Sequence, residues 1–142
     1  MRTLSAIVAG VALLGAMPVI AKGEDWRAAR AAKAEAKLAK KLEGRVAGTP
    51  VRCISLQTIR SSTVIDGKAI IYDAGNVIYV NIPANGASTL DDDDILVTNT
   101  TGSQLCDLDI VRLVDRSSHF QTGFVSLDKF VPYRKVSVAA SN

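Results

Sequence analysis

The apolar residues of this 142-residue chain follow two different periods. Over residues 24–43, Ala and Leu recur at helical spacing among Lys, Arg and Glu, with acids at the start (Glu24, Asp25) and Gly44 at the expected stop, which predicts a helix. Beyond residue 51 the runs become short and β-branched, at 63–65, 69–72, 77–82, 95–98, 105–114 and 124–127, and polar turns separate them. Asp66-Gly67 suits a two-residue hairpin turn, because both central positions of a type I′ turn need positive φ. The pattern predicts a mainly β fold: a small β barrel or sandwich of about six short strands, preceded by one basic amphipathic α-helix.

The run 105–114 is the expected organising strand, since it joins Cys106, Asp107 and Asp109 to a β-branched apolar stretch. Cys53 is the only other cysteine, so a Cys53–Cys106 bridge would clip the start of the domain to this late segment and turn everything between them into one loop.

Residues 1–21 have the features of a secretory signal: Arg2, an apolar stretch from 4 to 17, and small residues at 19 and 21. The apolar stretch is shorter than the roughly 20 residues of a membrane span, and no later stretch is long and apolar enough to make one. A periplasmic or secreted location follows as an expectation, and an oxidising compartment favours pairing of the two cysteines. The remaining 121 residues make one domain of ordinary size. The expected divisions are a signal at 1–21, a basic helix at 22–45, a linker at 46–50 containing Gly48 and Pro50, a compact β domain at 51–135, and a flexible tail at 136–142.

Charge is unevenly placed. Residues 22–45 carry eight Lys or Arg against four acids, and residues 46–142 carry eight against ten. This is a basic segment on a mildly acidic body, which argues against a nucleic-acid-binding domain. On a helical projection Arg30, Lys33, Lys37, Lys40 and Lys41 gather with Trp26 on one side, and Ala28, Ala31, Ala34, Leu38, Ala39 and Leu42 lie opposite. Like charges at i, i+4 and an apolar face made mostly of Ala predict a helix marginal on its own. Three roles suit it: a mobile arm meeting an anionic surface such as lipid head groups, with Trp26 as interfacial anchor; a solvated spacer; or a helix that lays its Leu38/Leu42 stripe on the domain.

Chemistry is thinly represented. The run Asp91–Asp94 invites calcium, but an EF-hand loop starting at Asp91 would need an acid or amide where Ile95 stands, Gly at Leu96 and Glu at Gly102, so it reads as a solvated, self-repelling loop. His119, the only histidine, adjoins Ser117 and Ser118 without a Gly-x-Ser-x-Gly elbow, and no zinc set can be assembled from it. Asp107 and Asp109 would share a face of the organising strand, where they could act as an acid–base pair or bind nearby arginines such as Arg52, Arg60 or Arg112. Tyr72 and Tyr79 flank a hairpin and serve either a groove or a cross-strand core pair. No catalytic residue, metal site or cofactor is assigned. The expected role is non-enzymatic binding or support at the cell envelope. The alternatives are an enzyme using the Asp107/Asp109 face or His119, and an inhibitor or partner of another envelope protein.

Arg52-Cys53-Ile54, Ile65-Asp66 with Ile70, Tyr79 with Asn81, Gln104-Leu105-Cys106 with Asp109-Ile110, and Leu127 with Phe130 and Pro132 together resemble a family of small exported alphaproteobacterial domains of unknown function. The resemblance covers residues 51–133 and implies a disulfide-stapled domain behind a signal peptide, with no activity attached. Members carry four cysteines, two of them where this chain has Ala87 and Val125. Their joint loss implies that those two pair with each other, leaving Cys53 and Cys106 as the other bridge.

Overall fold

The computed structural model describes residues 22–136; the expected signal segment and the last six positions lie outside the described residues. Helix α1 (Lys22–Leu42) is followed in chain order by β1 (Arg45–Ala47), β2 (Cys53–Ser55), β3 (Ser61–Ile65), β4 (Ala69–Asp73), β5 (Val77–Asn81), β6 (Asp94–Thr98), β7 (Gln104–Cys106), β8 (Ile110–Asp115), β9 (Gln121–Ser126) and β10 (Phe130–Lys135). The ten strands form three antiparallel sheets, in the orders β1-β10-β5-β4-β3, β2-β7 and β6-β8-β9. The mainly β expectation holds, with more strands than the six foreseen. No barrel closes among the described residues, so the architecture is sandwich-like.

The two faces of the five-stranded sheet bury different things. Along β4, Ala69 and Ile71 turn toward the helix, joined by Ile65, Ile78 and Val80 and covered by Ala34 and Leu38. Ile70 and Tyr72 turn the other way, onto Leu90, Leu105, Val111, Leu113, Val125, Leu127 and Phe130. Burial on both faces explains why residues 69–72 are continuously apolar instead of alternating. Tyr72 meets Phe130 edge-on at 5.9 Å; its hydroxyl is buried without a hydrogen-bond partner, and that burial pushes its pKa up. Tyr72 and Tyr79 are register partners packed on this core, so the hairpin tyrosines build the interior as a cross-strand pair.

Three expectations change. The run 105–114 is two strands, because the chain turns at 107–109: the Asp109 carboxylate accepts the Cys106 N–H at 2.7 Å, and the Asp109 N–H reaches the Cys106 carbonyl at 3.1 Å. This side-chain capping competes with strand continuation and wins. The Asp66-Gly67 turn has three residues, with Gly67 at φ 64° and the Lys68 N–H bonded to the Ile65 carbonyl. The stretch 46–50, expected as a linker, begins as part of β1 and runs on beside β10, with Gly48 donating to the Pro132 carbonyl at 2.7 Å and Val51 exchanging both bonds with Phe130.

β10 itself escaped the sequence pattern because Pro132 sits in it, and proline argues against a strand flanked on both sides. The register resolves the conflict. Pro132 accepts from Gly48, but it has no N–H to return, and β1 ends one residue earlier, at Ala47. A Cβ at residue 48 would lie 3.3 Å from the Pro132 ring, so glycine permits the close approach there.

Candidate functional site

The helix was the expected binding element. Ala34 and Leu38 are four residues apart, share one face and are both buried on the outer side of the main sheet, with Leu42 and Tyr133 packed beside them. Polar contacts reinforce this seam. Arg30 donates to the Leu90 carbonyl at 2.9 Å, with its guanidinium lying against Gly67. Lys37 pairs with Asp92 at 2.8 Å, and Lys68 of the β3–β4 turn pairs with Glu35. The helix is therefore a layer of the domain and not a mobile arm: the Ala/Leu face is weakly apolar but meets a flat aliphatic sheet, and three long-range polar contacts hold its edges.

Docking divides the six residues expected to meet an anionic surface. Arg30 and Lys37 are half-buried and engaged with the body, whereas Lys33, Lys40 and Lys41 are exposed, and Trp26 is 54% exposed. Arg27, which the helical projection did not group with them, is also exposed and lies 5.3 Å from the centre of the Trp26 ring. Trp26, Arg30, Ala34, Asp66, Lys68 and Ser88 line a groove of about 520 Å³ where the first half of the helix crosses the β3–β4 turn. Among the described residues no helix is long and apolar enough to cross a membrane.

Cys53 and Cys106 form a disulfide, and they are register partners at the end of the two-stranded sheet. Arg52, beside this bridge, makes two hydrogen bonds to Asp107, which hold the Asp107 carboxyl below its usual range. Asp107 and Asp109 do not share a strand face, since they lie in the turn 107–109; one pairs with arginine and the other caps a backbone N–H. His119 sits exposed at φ 60° in the β8–β9 turn. The acid of that turn, Asp115, accepts from the N–H groups of Ser117 and Ser118 and from the Ser117 hydroxyl, so Ser117 is a donor in a turn cap. Ala87 and Val125 fall on adjoining elements: Gly86, at φ 81°, lies directly against the backbone of Phe124 and Val125.

The acidic run is not uniformly solvated. Asp91, Asp92 and Asp93 are exposed, but Asp94 opens β6 and is buried, with Oδ1 accepting from the Thr122 hydroxyl at 2.9 Å. Nothing local distinguishes these four identical residues; the difference follows from the β6–β8 register.

Three carboxyls are held below their ordinary range by hydrogen bonds made only in the fold: Asp115 by Ser118 and Ser117, Asp92 by Lys37, and Asp107 by Arg52. Depressed folded values mean that their contribution is complete above the unfolded value near about 4 and is lost as pH falls through the folded values. The urea midpoint is expected to be level between about pH 7 and 5 and to fall below about pH 4, with a shallower fall in Asp115→Asn. An Asp115→Asn profile that superimposes on the parent would remove Asp115 from this explanation.

Compared with family models, curated proteins and solved structures, the chain matches none.

Proposed function

We propose that the protein is an exported, non-enzymatic binding module of the cell envelope whose docked helix meets an anionic surface. One observation carries this reading. Arg27, Lys33, Lys40, Lys41 and Trp26 stay exposed on a helix whose Arg30 and Lys37 are spent on docking, so the charge is displayed on a fixed element. A fixed display loses less entropy on binding than a free arm would. The disulfide supports an oxidising, extracytoplasmic location.

The test is co-sedimentation with vesicles of anionic envelope lipids at low and high salt, comparing the parent with a triple variant carrying Lys33→Gln, Lys40→Gln and Lys41→Gln. Each lysine near such a surface contributes about 1 kcal/mol, so the variant is expected to bind roughly 100-fold more weakly at low salt, and high salt should abolish the difference. Equal binding by the two proteins would refute the helix as the contact. Deleting the helix is the wrong comparison, because it would uncover Ile65, Ile71, Ile78 and Val80 and create a sticky apolar face.

A second reading, a protein partner of apolar and acidic character, is favoured by the solvent side of β6-β8-β9. Ile95, Ile110 and Phe124 are exposed there, and Arg112 stands between Val97 and Phe124 in register with no ion pair among the described residues. A photo-crosslinking side chain at position 124 would capture one defined protein under this reading. The same group at position 33 would capture lipid under the first.

A further inference from the structure

Two strand edges stand open across one groove. β3 pairs only with β4 and β6 only with β8, and their free sides line a groove of about 510 Å³, with Ser62, Thr63 and Val64 on one wall and Asp94, Ile95 and Leu96 on the other. An edge strand of an antiparallel sheet turns the main-chain N–H and C=O of alternate residues away from its partner. Among the described residues, no hydrogen bond beyond those of the β3–β4 and β6–β8 pairings reaches the main chain of residues 62–64 or 95–97. The edge of β9, by contrast, is blocked: Ala84 donates to the Ser126 carbonyl at 2.9 Å, and Ser126 donates to the Asn85 carbonyl at 3.1 Å. β3 is neither blocked nor defended. Ser61–Ile65 carries no charge, no proline and no bulge in its pairing, which are the devices that keep an edge from recruiting another strand.

The walls of the groove define what fits it. Asp66 Oδ1 accepts the Asp92 N–H at 3.0 Å and the Gly67 N–H reaches the Leu90 carbonyl at 2.9 Å, so the end of β3 is tied to the segment that leads into β6. Between the strands the floor is apolar, because Val64 and Leu96 both pack into the interior core. The tied end is acidic: residues 91–94 lie there, and only Lys37, at Asp92, and Arg116, at Asp93, form ion pairs with them among the described residues. We infer that the groove takes an extended segment of a partner protein, which adds to the main sheet as a strand antiparallel to β3. Main-chain hydrogen bonds to β3 attach it, and apolar side chains at every second position lie over Val64 and Leu96. β3 runs toward the tied end, so an antiparallel segment begins there, and a Lys or Arg at its N-terminal end meets the excess acid of residues 91–94. The site uses none of Lys33, Lys40 and Lys41, so it stands apart from the anionic-surface reading.

The experiment is panning of a random library of peptides of about ten residues, long enough to cover a strand, on the immobilised protein, followed by amide hydrogen exchange of the protein with the most enriched peptide in synthetic form. Enriched peptides are expected to share a Lys or Arg followed by apolar residues at alternate positions, and the synthetic peptide is expected to slow exchange at residues 62–64. A scrambled peptide of the same composition should bind at least about 10-fold more weakly, because the alternation that puts its apolar residues on one face is lost. Ser62 is exposed, and Ser62→Lys places on this edge the charge by which other edges are defended, so the variant should keep the parental Tm and bind the peptide roughly 10-fold more weakly. No enriched pattern, protection that falls elsewhere than residues 62–64, or full-strength binding by the scrambled peptide or to Ser62→Lys would each overturn the assignment.

Discussion

Removing the Cys53–Cys106 disulfide is expected to lower the unfolding free energy by about 4 kcal/mol. The bond closes a loop with a sequence separation of 53, and that loop contains β3, β4, β5 and β6, so the unfolded chain gains a large conformational ensemble when the bond is lost. The native side has little in reserve. β2 and β7 are three residues each and form a two-stranded sheet on their own, which is marginal in water without a covalent tie. The bonds beside it, Arg52 to Asp107 and Leu56 N–H to the Ser103 carbonyl, are local and cannot replace the link. Urea unfolding of the double variant Cys53→Ala, Cys106→Ala against the oxidised parent measures the effect. A midpoint within error of the parent would mean that the bridge ties together segments already held by the core.

The second large effect lies at the helix. Leu38→Asp is expected to cost about 3 kcal/mol, because it removes a buried leucine and places a carboxylate against the aliphatic side chains of Ile65, Ile71, Ile78 and Val80. The outcome is local as well as global: the helix is marginal when free, so undocking should melt it and expose one whole face of the main sheet. Dye binding to exposed apolar surface and a loss of helical circular dichroism should therefore appear together in this variant. Lys33→Asp, on the exposed side of the same helix, should show neither. If Leu38→Asp left both signals at parental values, the helix would not be a structural layer.

The sequence allowed some of this to be read and concealed the rest for definite reasons. The continuous apolar run at 69–72 marks a strand buried on both faces, and the Leu38/Leu42 stripe marks the face by which the helix docks. What decided docking over mobility was invisible, because Lys37 finds Asp92 and Glu35 finds Lys68 across 55 and 33 residues, distances at which no local pattern operates. β10 was hidden by Pro132, whose missing N–H is tolerated only because β1 stops at Ala47. The turn at 107–109 was hidden inside a β-branched run, where one carboxylate, Asp109, captures a backbone N–H and breaks the strand. The burial of Asp94 was the least legible feature. Asp94 differs from Asp91, Asp92 and Asp93 only through the register that sets it opposite Asp115, and register is a property of the assembled sheet.

A docked helix explains both the fixed display of Trp26, Lys33, Lys40 and Lys41 and the burial of the outer sheet face, so its docking is the claim on which most else depends. Residue-resolved amide hydrogen exchange on the protein tests it directly. Docking predicts that the amides around Ala34 and Leu38 exchange orders of magnitude more slowly than free peptide, with protection approaching that of β5. Exchange of residues 25–42 at free-peptide rates, beside a protected β5, would contradict the account.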